Sequence, residues 1–343
     1  MFLYICYSLI MKIGVPKELK NNEYRVGLTP DSVSELVSYN HQVFIEKNAG
    51  HEIGFKDLDY INAGATIVES AHELYKNSNL IIKVKEPIPE EFDLLNEQHT
   101  VFAYLHLAGD PKTGLKLAAT GITGIALETV TADDGTMPLL SPMSAIAGQL
   151  SVVVGSYHLL KPNKGMGTLI GAMENVERRV VTVIGAGVAG TMAIEKAIQN
   201  KAHVKIIDLS QRRLDELRAI YGDDNVEYIL STDSSIEESL KESDLVVGAV
   251  YVIGKQAPKV VKNSMLEKMK PGAVMVDISI DQGGCFESSK PTTHDNPTFE
   301  QDGIIHYCVT NMPGAVPLTA TQALNKATLP YILELANKGI EKA

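Results

Sequence analysis

The stretch RVVTVIGAGVAG, residues 179–190, decides how the chain is read. Val180, Val181, Val183 and Ile184 make a short, β-rich apolar run of the kind expected of a parallel strand buried on both faces. Gly185, Gly187 and Gly190 follow at once in the spacing GxGxxG, and residues 191–200 have the composition of a helix opened by that turn. A second strand, 203–207, ends in Asp208, roughly 20 residues past the last glycine. Each part has a physical task. Gly185 permits the tight turn, Gly187 lets a pyrophosphate approach the backbone, and Gly190 lets helix and strand pack closely. Phosphates sit against N–H groups at the positive end of the helix, while the acid accepts hydrogen bonds from an adenosine ribose. A glycine motif alone is weak. With strand, helix, second strand and terminal acid in order, it predicts a dinucleotide site.

A chain of 343 residues has room for two domains, each with its own core. Hydrophobic residues at 45% and charged residues at 21% mark it as globular rather than disordered. The net charge of -11 argues against a nucleic-acid partner, which would favour a basic patch. Acidic clusters at 89–93 and 237–244 read as solvated faces. Three cysteines, Cys6, Cys285 and Cys308, without a CxxC spacing indicate neither a disulfide framework nor a zinc site, and fit a reducing, cytoplasmic setting. The apolar opening MFLYICYSLI lacks a basic leader and a cleavage site and is too short to span a bilayer, so residues 1–10 read as an upstream extension or a mistaken start. No other stretch approaches the ~20 apolar residues of a membrane helix.

From Met11 the chain alternates strand and helix. Strands are expected at 12–15, 42–46, 65–68, 80–83, 100–104 and 122–126, with helices at 29–39, 70–75 and 111–119; Thr29 is the N-cap of the first helix and Pro30 its first position. This is a complete α/β unit with no glycine-rich cofactor turn. Residues 139–160 place Met143, Ile146, Ala147, Leu150, Val153, Val154 and Tyr157 at intervals of three and four, which predicts an amphipathic connector helix. The glycine-rich 165–171 reads as a turn. The nucleotide unit continues through strands at 226–229, 245–249, 273–277 and 304–309, and prolines after Met312 end the pattern before a last helix at 322–338. The expected architecture is α/β: two Rossmann-like, doubly wound domains flanking a cleft and joined by a long connector helix. Residues 11–138 plus 317–343 form the substrate and catalytic domain, and 139–316 the NAD-binding Rossmann domain.

Ligands of such folds bind where strands end. KVKEP, residues 83–87, closes a strand on alternating lysines, which predicts that both lie on one face. FAYLHLA, 102–108, ends a strand with His106. In VDISIDQGG, Asp277 and Asp281 straddle a strand end; one is expected to cap or turn and the other to face the nicotinamide.

Together, KNNEYRVGLTP, KVKEP, YLHLAGD, PLLSPMS, VIGAGVAG, DISIDQGG, PTTHDNPTF and NMPGAVP closely resemble the NAD-dependent L-alanine dehydrogenases of the alanine dehydrogenase and nicotinamide nucleotide transhydrogenase superfamily, from Met11 to about Gly339. The resemblance implies reversible oxidative deamination of L-alanine to pyruvate and ammonium, with NAD as cofactor, in a homohexamer. It makes Arg25 and Lys85 the substrate-carboxylate ligands, His106 the acid–base residue and Asp281 the acidic partner at the nicotinamide. Lys85 thereby joins His106 and Asp281 in the catalytic set. The chemistry is sound: a guanidinium grips a carboxylate with two parallel hydrogen bonds, a lysine adds a movable charge, and an imidazole exchanges protons near neutral pH. Beside Gly185 and Gly190, the resemblance places Ser144, Gly187, Val188, Ala189, Asp208, Arg213, Ser231, Val250, Ile278, Asp281, Asn311 and Met312 around the cofactor. Asp208 favours NAD over NADP, with Arg213 nearby as a contrary signal.

Three departures accompany the resemblance. Similar enzymes continue for a few helical turns beyond the position of Ala343, with consequences expected for packing and assembly. The loop 250–256 lacks the proline common before its glycine. Where some relatives pair the glutamate matching Glu128 with a C-terminal histidine on magnesium, this chain has Lys338 in that neighbourhood, so no metal is expected. The alternatives are a soluble NAD(H)-binding subunit of a transhydrogenase and a catalytically idle NAD-binding module; retention of Arg25, Lys85 and His106 disfavours the first.

Overall fold

The computed structural model describes residues 9–107, 111–252 and 255–343. Expectations for 1–8, including Cys6, for 108–110 at the end of YLHLAGD, and for 253–254 in the 250–256 loop lie outside the described residues. The chain forms two compact units: the first runs through Met143 and is completed by Val316–Ala343, and the second is Ser144–Ala315.

The first unit contains β1 (Lys12–Val15), α1 (Pro30–Ser38), β2 (Gln42–Glu46), α2 (Asp57–Asn62), β3 (Thr66–Val68), α3 (Ala71–Asn77), β4 (Leu80–Lys85), α4 (Pro89–Phe92), β5 (Thr100–Tyr104), α5 (Pro111–Ala119) and β6 (Thr123–Ala126). Its sheet is parallel, in the order β3-β2-β1-β4-β5-β6. This doubly wound order reverses between β1 and β4, and ligands bind beyond the carboxyl ends of the strands at such a switch point. The fourth and fifth strands are buried along almost their whole length, and each fully buried Val, Leu or Ile in them contributes about 1.5–3 kcal/mol. Helix α1 begins as expected: Pro30 holds its first position, and the Thr29 hydroxyl accepts the Ser32 N–H at 3.2 Å.

Helix α6 (Ser141–His158) contains the division between the units. The second unit continues with β7 (Val180–Ile184), α7 (Val188–Gln199), β8 (His203–Asp208), α8 (Gln211–Tyr221), β9 (Val226–Leu230), α9 (Asp233–Glu242), β10 (Leu245–Gly248), α10 (Asn263–Leu266), β11 (Val274–Asp277), β12 (Thr298–Gln301) and β13 (Ile304–Tyr307). Its sheet order is β12-β13-β11-β10-β7-β8-β9, parallel except for β12, which runs against β13. The reversal here falls between β7 and β10. The chain then returns to the first unit as α11 (Pro317–Lys338). There the Thr321 hydroxyl accepts the Val26 N–H at 3.2 Å and the Asn325 carboxamide oxygen accepts the Thr29 N–H at 2.8 Å.

Several expectations need correction. Val153 and Tyr157 are exposed; Met143 and Ala147 are buried as expected, and the face is completed by Gly148, Ser151, Val152, Gly155 and His158, where small residues allow close packing. The strand expected at 80–83 extends to Lys85, with a register irregularity between Ile82 and Lys85 that upsets simple alternation of the two lysines. The acidic clusters are not simply solvated. Glu91 and Asp244 are buried, the first on Lys83 at 2.9 Å and the second on Lys270 at 3.0 Å. The last helix begins at Pro317 rather than 322, because Pro at a first helical position lacks only an N–H that has no helical partner anyway.

Candidate active site

In the first unit, four segments lead from the carboxyl edge of the parallel sheet: the loop after β1 carrying Arg25, the end of β4 with Lys85, the residue pair after β5 with His106, and the turn after β6 with Glu128. Two of the expected residues meet directly. Lys85 Nζ stands 3.2 Å from His106 Nε2. An ammonium has no acceptor, so Lys85 donates and Nε2 carries the lone pair, which places the ring hydrogen on Nδ1. The imidazole stacks on Tyr104 at 6.0 Å between centroids, and the Tyr104 hydroxyl donates to the Leu139 carbonyl at 2.5 Å. His106 has a positive φ of 48°, uncommon for a residue with a side chain. Its N–H donates to Glu128 Oε1 at 2.7 Å and that of Leu105 to Oε2 at 3.2 Å, so Glu128 holds the backbone that aims the ring.

Arg25 is only 2% exposed. The resemblance makes Arg25 a substrate-carboxylate ligand; here its Nε and Nη2 edge meets Glu23, at 2.6 and 2.5 Å, while Nη1 lies 3.3 Å from Met143 Sδ. A buried guanidinium requires such a counter-charge. Glu23, Tyr104 and Met143 are the neighbours sequence reasoning missed.

Burial pushes the His106 imidazole down to about 3, with the cations Lys85, Lys20 and Arg25 adding to the effect. The ring is therefore neutral from pH 5 to 8 and available as a base. We expect its NMR titration in the substrate-free protein to show no midpoint between those values, and Lys85→Met to move the midpoint upward. A wild-type midpoint near 6.5 would contradict this. Because only the unfolded chain takes up this proton between pH 6.5 and 3, acidification through that window also lowers stability.

In the second unit, every expected cofactor residue except Ser144, in the first turn of α6, belongs to the glycine turn and the helix it opens or lies at or beyond the carboxyl end of a sheet strand. Gly185 leaves β7 with φ 94°, and α7 opens at Gly187 with no side chain capping its first turn. Val188, Ala189 and Gly190 form that turn. A Cβ on Gly187 would meet nothing within 4 Å, whereas one on Gly190 would lie 1.8 Å from the Gly185 carbonyl oxygen. The motif thus has an open outer side and a closed inner one, and the residues present fit a dinucleotide pyrophosphate. Asp208 ends β8; its Oδ2 accepts the Ala186 N–H at 2.7 Å and its Oδ1 the Ser210 N–H at 2.8 Å. Arg213 donates to the Ala186 carbonyl at 3.0 Å, the Thr191 hydroxyl at 2.8 Å and Glu216 at 3.1 Å, which binds it to the glycine turn.

Ser231 follows β9 and donates its N–H to the Asp208 carbonyl at 2.9 Å. Val250 follows β10 and its carbonyl accepts the Ser279 hydroxyl at 2.7 Å; Ile278 follows β11. Asn311, with φ 61°, and the buried Met312 follow β13. Of the two aspartates, Asp277 ends β11 and Asp281 lies in the turn that follows. Asp277 is buried and accepts the Ser279 and Cys285 N–H groups at 2.9 and 2.8 Å, while Asp281 is exposed. Lys338 pairs with Glu334 one helical turn back, and among the described residues no group of three or more His, Cys, Asp or Glu side chains is arranged to hold a metal. Among the described residues no helix is long and apolar enough to cross a membrane.

Comparison with known families gives two matches that nearly tile the chain. Residues 14–147 match the alanine dehydrogenase/PNT N-terminal domain and 151–343 the C-terminal domain. The chain belongs to the alanine dehydrogenase/PNT family. An alanine dehydrogenase of Mycolicibacterium smegmatis is 48% identical over 97% of this chain and 90% of its own length. A solved L-alanine dehydrogenase superposes with a TM-score of 0.93 at 47% identity, covering 97% of this chain and 91% of the other. A transhydrogenase from Sinorhizobium meliloti gives 0.83 at 24% identity over 95% and 94% of the two chains, which shows the shared fold alone. Family membership thus accords with the two doubly wound units and with the sequence resemblance.

Proposed function

We propose that the chain catalyses the reversible, NAD-dependent oxidative deamination of L-alanine to pyruvate and ammonium. The observation that carries this reading is the contact of Lys85 with the lone-pair nitrogen of a neutral His106, at the strand ends of a unit that has its own switch point. NAD supplies hydride acceptance at its nicotinamide C4. Lys85 and Arg25 attract the substrate carboxylate; Lys85 is a movable point charge, whereas Arg25 is held by Glu23 and acts as a fixed one. As the carboxylate draws the Lys85 ammonium away, Nε2 of His106 becomes accessible and its proton affinity rises. His106 then takes a proton from the water that adds to the imine carbon, and returns it to the carbinolamine nitrogen as the C–N bond breaks, releasing pyruvate and ammonium. Asp281 serves at the nicotinamide end. Ser144, Gly185, Gly187, Val188, Ala189, Gly190, Ser231, Val250, Ile278, Asn311 and Met312 line the dinucleotide.

Asp208 would repel a 2′-phosphate, and two of the hydrogen bonds of Arg213, to the Ala186 carbonyl and the Thr191 hydroxyl, keep that guanidinium on the glycine turn. NADH should therefore outperform NADPH by at least an order of magnitude in kcat/KM. The decisive assay combines pyruvate, ammonium and reduced cofactor. Oxidation that needs both co-substrates supports the reading; tight NADH binding without turnover, or a preference for NADPH, counts against its activity or its cofactor assignment respectively. The reading also includes a homo-oligomer, hexameric by resemblance, in a reducing cytoplasm. The buried Cys285 and Cys308, whose thiols burial pushes up, are compatible with that setting.

A further inference from the structure

Beneath Lys85 lies a buried ionic cluster with no part in the chemistry above. Lys83 is 1% exposed and its ammonium is 2.9 Å from Glu91 Oε1 and 3.3 Å from Glu18 Oε2. Glu18 sits on the loop after β1, and Glu91 on α4, the helix that follows Lys85 in the chain. The other oxygen of Glu18 accepts the Val84 N–H at 2.6 Å and lies 3.4 Å from the Lys85 N–H. Glu91 is fixed in turn by the Tyr75 hydroxyl at 2.7 Å and the Ile88 N–H at 3.0 Å. Two carboxylates and one ammonium, all buried, are an expensive arrangement whose replacement by apolar residues would often be neutral for stability. Their geometry answers a different need. The pairing of β4 with β5 shifts register between Ile82 and Lys85, at the point where Glu18 meets the Val84 N–H.

We propose that Glu18, held by Lys83 and Glu91, is a positioning residue that clamps the irregular end of β4 and thereby sets where the Lys85 ammonium stands relative to His106. Glu18 accepts the Val84 N–H at the register shift, Lys83 fixes Glu18, and Glu91 ties the same ammonium to the segment beyond Lys85. The proposal rests on the function assigned above to Lys85 and His106. It predicts an effect on substrate-carboxylate binding and on the His106 environment rather than on cofactor binding.

The test uses the full chain with Glu18→Ala and Glu18→Gln. Glutamine keeps one acceptor oxygen but turns an NH2 group towards the Lys83 ammonium, so it should fold and be partly impaired. Glu18→Ala is expected to raise the KM for pyruvate about ten-fold and Glu18→Gln about three-fold, with the KM for NADH within two-fold of wild type. Both should move the His106 NMR titration upward as Lys85 drifts from Nε2. Loss of kcat with an unchanged pyruvate KM and an unmoved His106 titration would show a merely structural role and overturn the proposal. Should the alanine variant fail to fold, wild-type values for Glu18→Gln in both readouts overturn it equally. A wild-type protein without pyruvate-dependent NADH oxidation would defeat the functional reading instead, while the titration still reports on the clamp.

Discussion

Replacing His106 by Ala should lower turnover by ~10²–10⁴-fold, the usual contribution of a positioned acid–base group, while NADH binding stays within a few-fold of wild type. The expectation follows from the unit structure: His106 and its neighbours belong to the first unit, and the glycine turn with Asp208 to the second. The positive φ of His106 introduces a complication, because alanine in that conformation is disfavoured and could disturb Lys85 through the backbone. Asn tolerates that backbone better and keeps hydrogen-bonding groups, yet cannot exchange a proton. His106→Asn should therefore match His106→Ala in lost turnover and exceed it in stability. Steady-state kinetics with pyruvate and ammonium, beside NADH fluorescence titration, checks both. Near-normal turnover in either variant removes His106 from the mechanism.

Gly190→Ala should produce the largest loss of cofactor affinity from a single methyl group. The added Cβ would stand 1.8 Å from the Gly185 carbonyl oxygen, a backbone atom that cannot swing aside. Relief requires α7 to move away from the end of β7, and overpacking of this kind typically destabilises by 1–3 kcal/mol. It also displaces the Ala186 N–H from Asp208 and shifts the helix end that would meet the pyrophosphate. We expect NADH to bind on the order of a hundred-fold more weakly, about 2.7 kcal/mol, with a lower melting midpoint. Wild-type NADH affinity in this variant would mean that the turn does not hold the cofactor. Gly187→Ala separates the two effects: its Cβ enters open space in the cofactor-free protein, so the melting midpoint should stay near wild type whatever happens to NADH affinity.

How legible the chain was depended on the range of the interaction. The glycine turn, its strand and its terminal acid are local, and the positions of Gly185, Gly190 and Asp208 could be read from spacing. Lys85 and His106 stood out only as polar residues at strand ends; their 3.2 Å contact depends on the pairing of β4 with β5, which no spacing expresses. The bond between Arg25 and Glu23 was hidden differently. Two acceptors compete for one guanidinium, and nothing in EYR says that the protein's own carboxylate takes the fork. Charge clusters misled because composition does not reveal burial: Glu91 resembles its solvated neighbours until Lys83 is found beneath it. The face of α6 was misread because glycine and serine mark close packing there, whereas periodicity looks for large apolar groups.

The return of the chain through α11 has a consequence for the ribosome. The second unit is continuous and can close once Ala315 has emerged, although it is not the first to be synthesised. The first unit cannot. The Val26 and Thr29 amides on the Arg25 loop wait for Thr321 and Asn325, 295 and 296 residues downstream, before they find their acceptors. Most of the half that carries Arg25, Lys85 and His106 is thus translated first and completed last, leaving the nascent loop exposed to proteases and chaperones until the final helix arrives.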